Sequence, residues 1–218
     1  MIINKAAGRK ETEIESRRIY IINSARTLFA RKGIENTTME DIAVLSEYTR
    51  RTLYAYFKSF DEICLLVLLE DQGVRWELQK LAVAEADTGL AKLRAWAESL
   101  YRFVKQNPHY ARLESYWDYH GLDPERIGRG LFDRFVERNN ELADGLREIT
   151  RTGIADGSMR RDLEIDMTVS QFLYSLRSII NRAVSPGYSF AVFDADEYVR
   201  KYIDLFCKGI AANGGTVE

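Results

Sequence analysis

The residues best suited to chemistry lie close together near the N-terminus, in the run TRRTLYAYFK at 49–58. Two guanidiniums, two hydroxyls, two phenols and an ammonium offer hydrogen-bond donors and positive charge, with no carboxylate among them. Such a set suits a polyanion. Arginine can bind guanine O6 and N7 in bidentate fashion, while lysine and hydroxyls can hold phosphate oxygens. Other chemistry is thinly provided for. There are two histidines, and the two cysteines, Cys64 and Cys207, stand far apart inside apolar patterns. This excludes a disulfide framework or a metal-ligand spacing and predicts buried thiols. With no nucleophile motif and no glycine-rich phosphate loop, neither catalysis nor a cofactor is expected.

The elements that would carry these residues read almost entirely as helix, since only three prolines occur and period-2 alternation is scarce. Residues 1–12 are polar and expected to fray. Helical spacing of Ile14, Ile21, Ala25 and Phe29 predicts a helix from about 13 to 32, ended by Gly33. Thr37 or Thr38 caps a short helix carrying Met39, Ile42 and Ala43, and 46–48 form a turn. Thr49 then caps a second short helix. On a wheel at about 100° per residue, Leu53 and Phe57 fall together toward a core. Arg51, Tyr54, Ala55 and Lys58 fall on the outer arc, with Arg50 at its edge. Two short helices behind a longer one describe a helix-turn-helix, although an exposed Arg-Arg pair also suits a plain solvated face.

Charge divides in the same place. Residues 1–60 carry 11 Lys and Arg against 7 Asp and Glu, whereas 61–218 carry 20 against 26. A basic head on an acidic body fits a head that meets nucleic acid. Further helices are expected at about 60–86, 88–106, 108–120, 124–155, 166–184 and 194–211, with a loop at 185–189 and a small, polar tail. The longest apolar run, ICLLVLL at 63–69, falls far short of the about 20 residues that span a bilayer. With no apolar leader at the N-terminus, a cytoplasmic protein without membrane contact is expected.

The run TTMEDIAVLSEYTRRTLYAYFKSFDEI at 37–63 closely resembles the N-terminal signature of the tetracycline-repressor (TetR) family of bacterial transcription regulators. The matching features are TT at the first cap, D-I-A in the helix, the L-Y-x-Y-F block, and K-S followed by an acidic pair. ARTLFARKG at 25–33 resembles the family's entry helix, and GSMRRDLEID at 157–166 the turn before its dimerising helices. The resemblance implies an all-α chain: a three-helix DNA-binding domain at 1–60 and a larger helical effector-binding and dimerisation domain at 61–218. It implies base-edge positions for Thr49, Arg50, Arg51, Thr52 and Tyr54, and phosphate positions for Thr38, Tyr56 and Lys58. Three departures stand out. Glu47 replaces a common glycine of the turn, Arg51 a small residue, and Phe60 a frequent lysine.

The implied function is a homodimeric repressor that binds a palindromic operator and leaves it when a small molecule turns the head through the 60–86 helix. In the body, Trp96, Tyr101, Tyr116, Trp117 and His120 could line an effector pocket, with Glu114 and Asp118 interleaved; the same aromatics at helical spacing also suit a plain core. Leu176, Ile180, Tyr202 and Phe206 belong to broad apolar arcs on the last two helices that suit a two-fold interface, or burial within one chain. Two other classes remain open. One is a helical enzyme using Glu114, Asp118 and His120; the other is an adaptor whose Arg50 and Arg51 meet an acidic protein.

Overall fold

Helix propensity and capping account for the first three elements of the computed structural model, which describes residues 3–185 and 194–212, with side chains from Thr12 onward. Helix α1, Ile3–Lys32, starts earlier than expected, because Lys, Ala, Arg and Glu in its first turns are strong helix formers. It ends at Gly33, whose φ of 84° only glycine adopts freely. Helices α2 (Met39–Leu45) and α3 (Arg50–Tyr56) follow, each opened by a threonine in extended conformation. Then come α4 (Phe60–Ala84), α5 (Gly89–Gln106), α6 (Pro108–His120), α7 (Pro124–Ile127), α8 (Arg129–Ala155), α9 (Ile165–Val184) and α10 (Ala195–Ile210). Among the described residues the only strand-like pairing is a single bridge between Met159 and Ala211. The fold is all-α.

Two expected boundaries differ. The helix predicted over 124–155 is broken at Gly128, which has φ 91° and closes α7 by donating its N–H to the Pro124 carbonyl at 2.8 Å. Asp166 does not cap α9; the N-cap is Glu164, and the Asp166 carboxylate instead pairs with Arg147 at 2.6 Å. Except for Ser185, the loop at 185–189 lies outside the described residues, as does the tail from 213.

The chain divides into two compact units. The first comprises the chain up to Glu70 together with Arg112–Asp133, and the second Asp71–Ala111 together with the chain from Arg134 onward. In the first, Ile21, Phe29, Ile42, Leu53 and Ile63 are fully buried, and the Phe29 and Phe60 rings meet edge to face at 5.9 Å. In the second, α10 packs on α9 and α5. Phe172 joins Trp96 at 6.0 Å and Phe206 at 4.9 Å between ring centres. Cys64 and Cys207 are free and buried, and burial pushes both thiols upward, Cys207 to about 11.

Candidate nucleic-acid interface

Helix α3 is short, so its ends decide its geometry. The Thr49 hydroxyl oxygen accepts the Thr52 N–H at 3.1 Å and lies 2.9 Å from the Thr52 hydroxyl. This fixes the first turn and satisfies one of the amides a helix start leaves open. Leu53 at 0% and Phe57 at 2% exposure anchor the inner face. Opposite them Arg50, Arg51, Tyr54 and Ala55 are exposed, with Thr52 half-buried at the side. The wheel thus describes the helix as built.

The turn before α3 takes the left-handed geometry that the resemblance implies at Glu47. Glu47 has φ 58° and is the one non-glycine residue with positive φ among those described. Its N–H still bonds the Val44 carbonyl at 3.2 Å. Arg50 lies 3.8 Å from Glu40 on α2, whereas Arg51 enters no ion pair among the described residues. The two arginines are therefore unequal, since Arg50 has a competitor for its charge and Arg51 has none.

The flanking positions are held by other means. Thr38 forms a capping box on α2: its oxygen accepts the Asp41 N–H at 3.2 Å, and its own N–H donates to Asp41 Oδ2 at 2.7 Å. The Thr38 hydroxyl donates to the same oxygen at 2.6 Å. Lys32 at 2.8 Å and these Thr38 bonds hold the Asp41 carboxyl down at about 2. The half-buried Tyr56 receives two arginines of α1. Arg17 donates to its hydroxyl at 3.5 Å, and Arg18 bonds its carbonyl. Arg18 also lies 4.5 Å above the Phe57 ring. Arg17 escaped the sequence reading because it stands 39 positions before Tyr56; only its place beside Arg18 on a basic helix hinted at it.

Lys58 is exposed, and its backbone N–H donates to Glu62 Oε2 at 2.5 Å. Its side chain runs beside Gly128, where an added Cβ would stand 3.3 Å from the ammonium. The start of α4 is fixed by residues far along the chain. The Ser59 hydroxyl caps Glu62 N–H at 3.1 Å and donates to the Arg126 carbonyl at 2.8 Å. Asp61, 4% exposed, receives the Arg126 guanidinium at 2.7 Å and the Tyr116 hydroxyl at 3.0 Å. Burial and that carboxylate push the Tyr116 phenol up to about 12.

The five aromatic and imidazole residues expected around an effector fall in different units. Trp96, on α5, lines a cavity of about 320 Å³ in the second unit. Tyr101, also on α5, instead donates its hydroxyl to Asp196 on α10. Tyr116, Trp117 and His120 form an α6 cluster in the first unit. Tyr116 stacks on His120 at 4.2 Å, and His120 is exposed. Trp117 is buried, and its indole N–H has no hydrogen-bond partner.

Of the residues expected at an interface, Leu176 and Ile180 are 0% and 1% exposed within the single chain. Tyr202 and Phe206 are half-buried, and the Tyr202 hydroxyl bonds Ser175 across to α9. The apolar residues that do reach the surface of α9 and α10 are Met167, Tyr174 and Leu205. Among the described residues no cluster of His, Cys, Asp and Glu could hold a metal, and no helix is long and apolar enough to cross a membrane.

Residues 21–65 match the family model for bacterial regulatory proteins of the tetR family. The transcriptional repressor KstR2 of Mycolicibacterium smegmatis is 26% identical over 201 residues, covering 92% of this chain and 93% of its own. The repressor AcnR of Corynebacterium jeikeium is 25% identical over 194 residues, covering 87% and 93%. Among solved structures, the transcriptional regulator FadR of Bacillus subtilis in complex with stearoyl-CoA has the same fold. Its TM-score is 0.70 at 18% identity, covering 88% of this chain and 98% of that one. The head is thus matched by the model of the tetR family of bacterial regulatory proteins over residues 21–65, and two named repressors align along most of the chain at about a quarter identity.

Proposed function

We propose that this regulator is a cytoplasmic homodimeric repressor whose two α3 helices enter successive major grooves of a palindromic operator, and which a small molecule releases. One observation carries the reading: α3 buries Leu53 and Phe57 while presenting Arg51 and Tyr54 outward from a capped N-terminal end. Arg50, Arg51, Tyr54 and the two threonines would read base edges. Tyr56, Arg17, Thr38 and Lys58 would hold phosphates, so the DNA-contacting surface belongs to 1–60. The body, 61–218, would bind the effector and the second copy.

The outer surface of α9 and α10 supports dimerisation, with Met167, Tyr174 and Leu205 exposed beside the half-buried Tyr202 and Phe206. Several large apolar side chains left at the surface of neighbouring helices favour a covering partner. Effector control draws support from the FadR complex with stearoyl-CoA and from the second-unit cavity. Helix α4 contributes to both compact units, which makes it the natural path of coupling.

Selection from a random duplex library tests the reading. The expected product is a two-fold symmetric sequence with half-sites about 10 bp, or a multiple, apart. Enrichment of no sequence at all, alongside turnover of a substrate or capture of an acidic protein through Arg50 and Arg51, would replace it with one of the rival classes.

A further inference from the structure

In the second unit the outer face of α4 is apolar where a solvated helix would be polar. Val74, Leu78 and Leu81 follow one another at helical spacing and are 58%, 44% and 66% exposed. The link at 85–88 turns the chain back, so α5 returns alongside α4, and on the inner face Gln79 donates its amide N–H to the Trp96 carbonyl at 3.4 Å. Between the two helices runs a groove of about 450 Å³, with Leu78 and Leu81 on one side and Ala95 and Phe103 on the other. This groove faces away from α10. Helix α5 turns Tyr101 and Lys105 to Asp196 of α10, and Ala95, Arg102 and Gln106 to the groove.

Charge is placed at the two ends of the groove. Glu85 stands where α4 gives way to the link, and Arg102 in the last turns of α5. At about 1.5 Å per residue they lie roughly 20 Å apart along the helix direction. Neither enters an ion pair among the described residues, whereas Glu98, the other charged residue of the groove, reaches Arg94 at 3.9 Å. A two-fold axis crossing the groove midway would pass between the levels of Leu78 and Leu81. Two copies related by it bring their leucines together and lay the acidic end of each over the basic end of the other. An axis along the groove would instead set Glu85 against Glu85. A wholly basic or wholly acidic partner would leave one end unmatched.

We propose that the α4–α5 groove is a second self-association face, on which two copies pair antiparallel with Leu78 and Leu81 at the centre and Glu85 of each opposite Arg102 of the other. It is distinct from the α9 and α10 surface, so it joins regulator dimers to one another rather than making them. The face is small, so the pairing is weak, in the upper micromolar range. It acts in concentrated protein, or between dimers that DNA holds side by side at high effective concentration.

Sedimentation equilibrium of the concentrated full chain tests this, with circular dichroism to show that each variant is folded. Wild type should form a species larger than the one it forms when dilute. Leu81→Asp should weaken that step by about a hundredfold, because an unpaired carboxylate then sits at the centre of the face. Glu85→Arg and Arg102→Glu should each weaken it by about tenfold or more, since like charges then face each other at both ends. Mixed in equal amounts, these two variants should associate again, because both arginines of one copy then meet glutamates of the other. The double variant Glu85→Arg, Arg102→Glu should return to within about threefold of wild type. A lost fold cannot produce rescue by mixing. Wild type that shows no larger species, Leu81→Asp that associates as wild type does, or single reversals that mixing leaves apart overturns the proposal. So does an amphipathic peptide that binds wild type but not Leu81→Asp while the chain fails to associate, which would assign the groove to another protein.

Discussion

Replacing Arg51 with alanine should weaken operator binding without disturbing the fold. The side chain is exposed and enters no ion pair among the described residues, so truncation leaves no buried charge and opens no cavity. Alanine is also the better helix former, and the Thr49 cap is untouched. The melting temperature should therefore stay within about 1 °C of wild type. A bidentate base contact is worth about 1–3 kcal/mol of discrimination. A symmetric dimer loses it twice, giving about 2–6 kcal/mol, or roughly 30-fold to 10⁴-fold in Kd. Arg50→Ala should cost less, because Glu40 already competes for that guanidinium at 3.8 Å. Fluorescence anisotropy on the selected operator and on a scrambled duplex, at one fixed salt concentration, measures both. The reasoning fails if Arg51→Ala binds the operator as wild type does. It also fails if affinity falls equally on both duplexes, since that is the signature of a phosphate contact.

At the turn, Glu47→Gly should stabilise the protein by about 0.5–1 kcal/mol, the left-handed penalty less glycine's added chain entropy, and an unchanged or lower denaturation midpoint would contradict the strain. Asp41 titrates far below an ordinary carboxylate, so its contribution is present above the unfolded value near 4 and is lost as pH falls toward about 2. Asp41→Asn should flatten the acid limb of the stability profile between those values; an unaltered limb by circular dichroism would remove Asp41 from it. On the body, Leu205→Asp should give a folded monomer that binds DNA weakly, whereas Ile180→Asp should lose helicity outright because its site is 1% exposed. Sedimentation separates these outcomes, and a dimeric Leu205→Asp protein would move the interface off α10.

The head was more legible than the body, for a physical reason. Its α2 and α3 helices are short, so threonine caps, the acidic first turn of α2 and a four-residue spacing of Leu53 and Phe57 fix them locally. The left-handed turn at Glu47 was anticipated only through the resemblance, which puts a glycine there. The body's helices were equally visible, but which face meets which neighbour is a long-range property. Leu176, Ile180, Tyr202 and Phe206 share one kind of apolar pattern, yet packing within the chain buries the first two and leaves the others half-buried. The effector aromatics show the same limit, because helical spacing does not tell a cavity wall such as Trp96 from a hydrogen-bonding strut such as Tyr101.

The ties at the start of α4 bear on how portable the DNA-binding head is. Ser59 and Asp61 are completed by Arg126 and Tyr116, more than fifty positions later in the chain. A fusion that transplants residues 1–60 onto a foreign body would leave the recognition helix's exit without its latch. Tyr116 and Arg126 would have to travel with it for the graft to keep its aim. The same ties act on time as well as on modularity. Arg126 follows all of α4, α5 and α6 in the chain, so the ties at the start of α4 form late in synthesis.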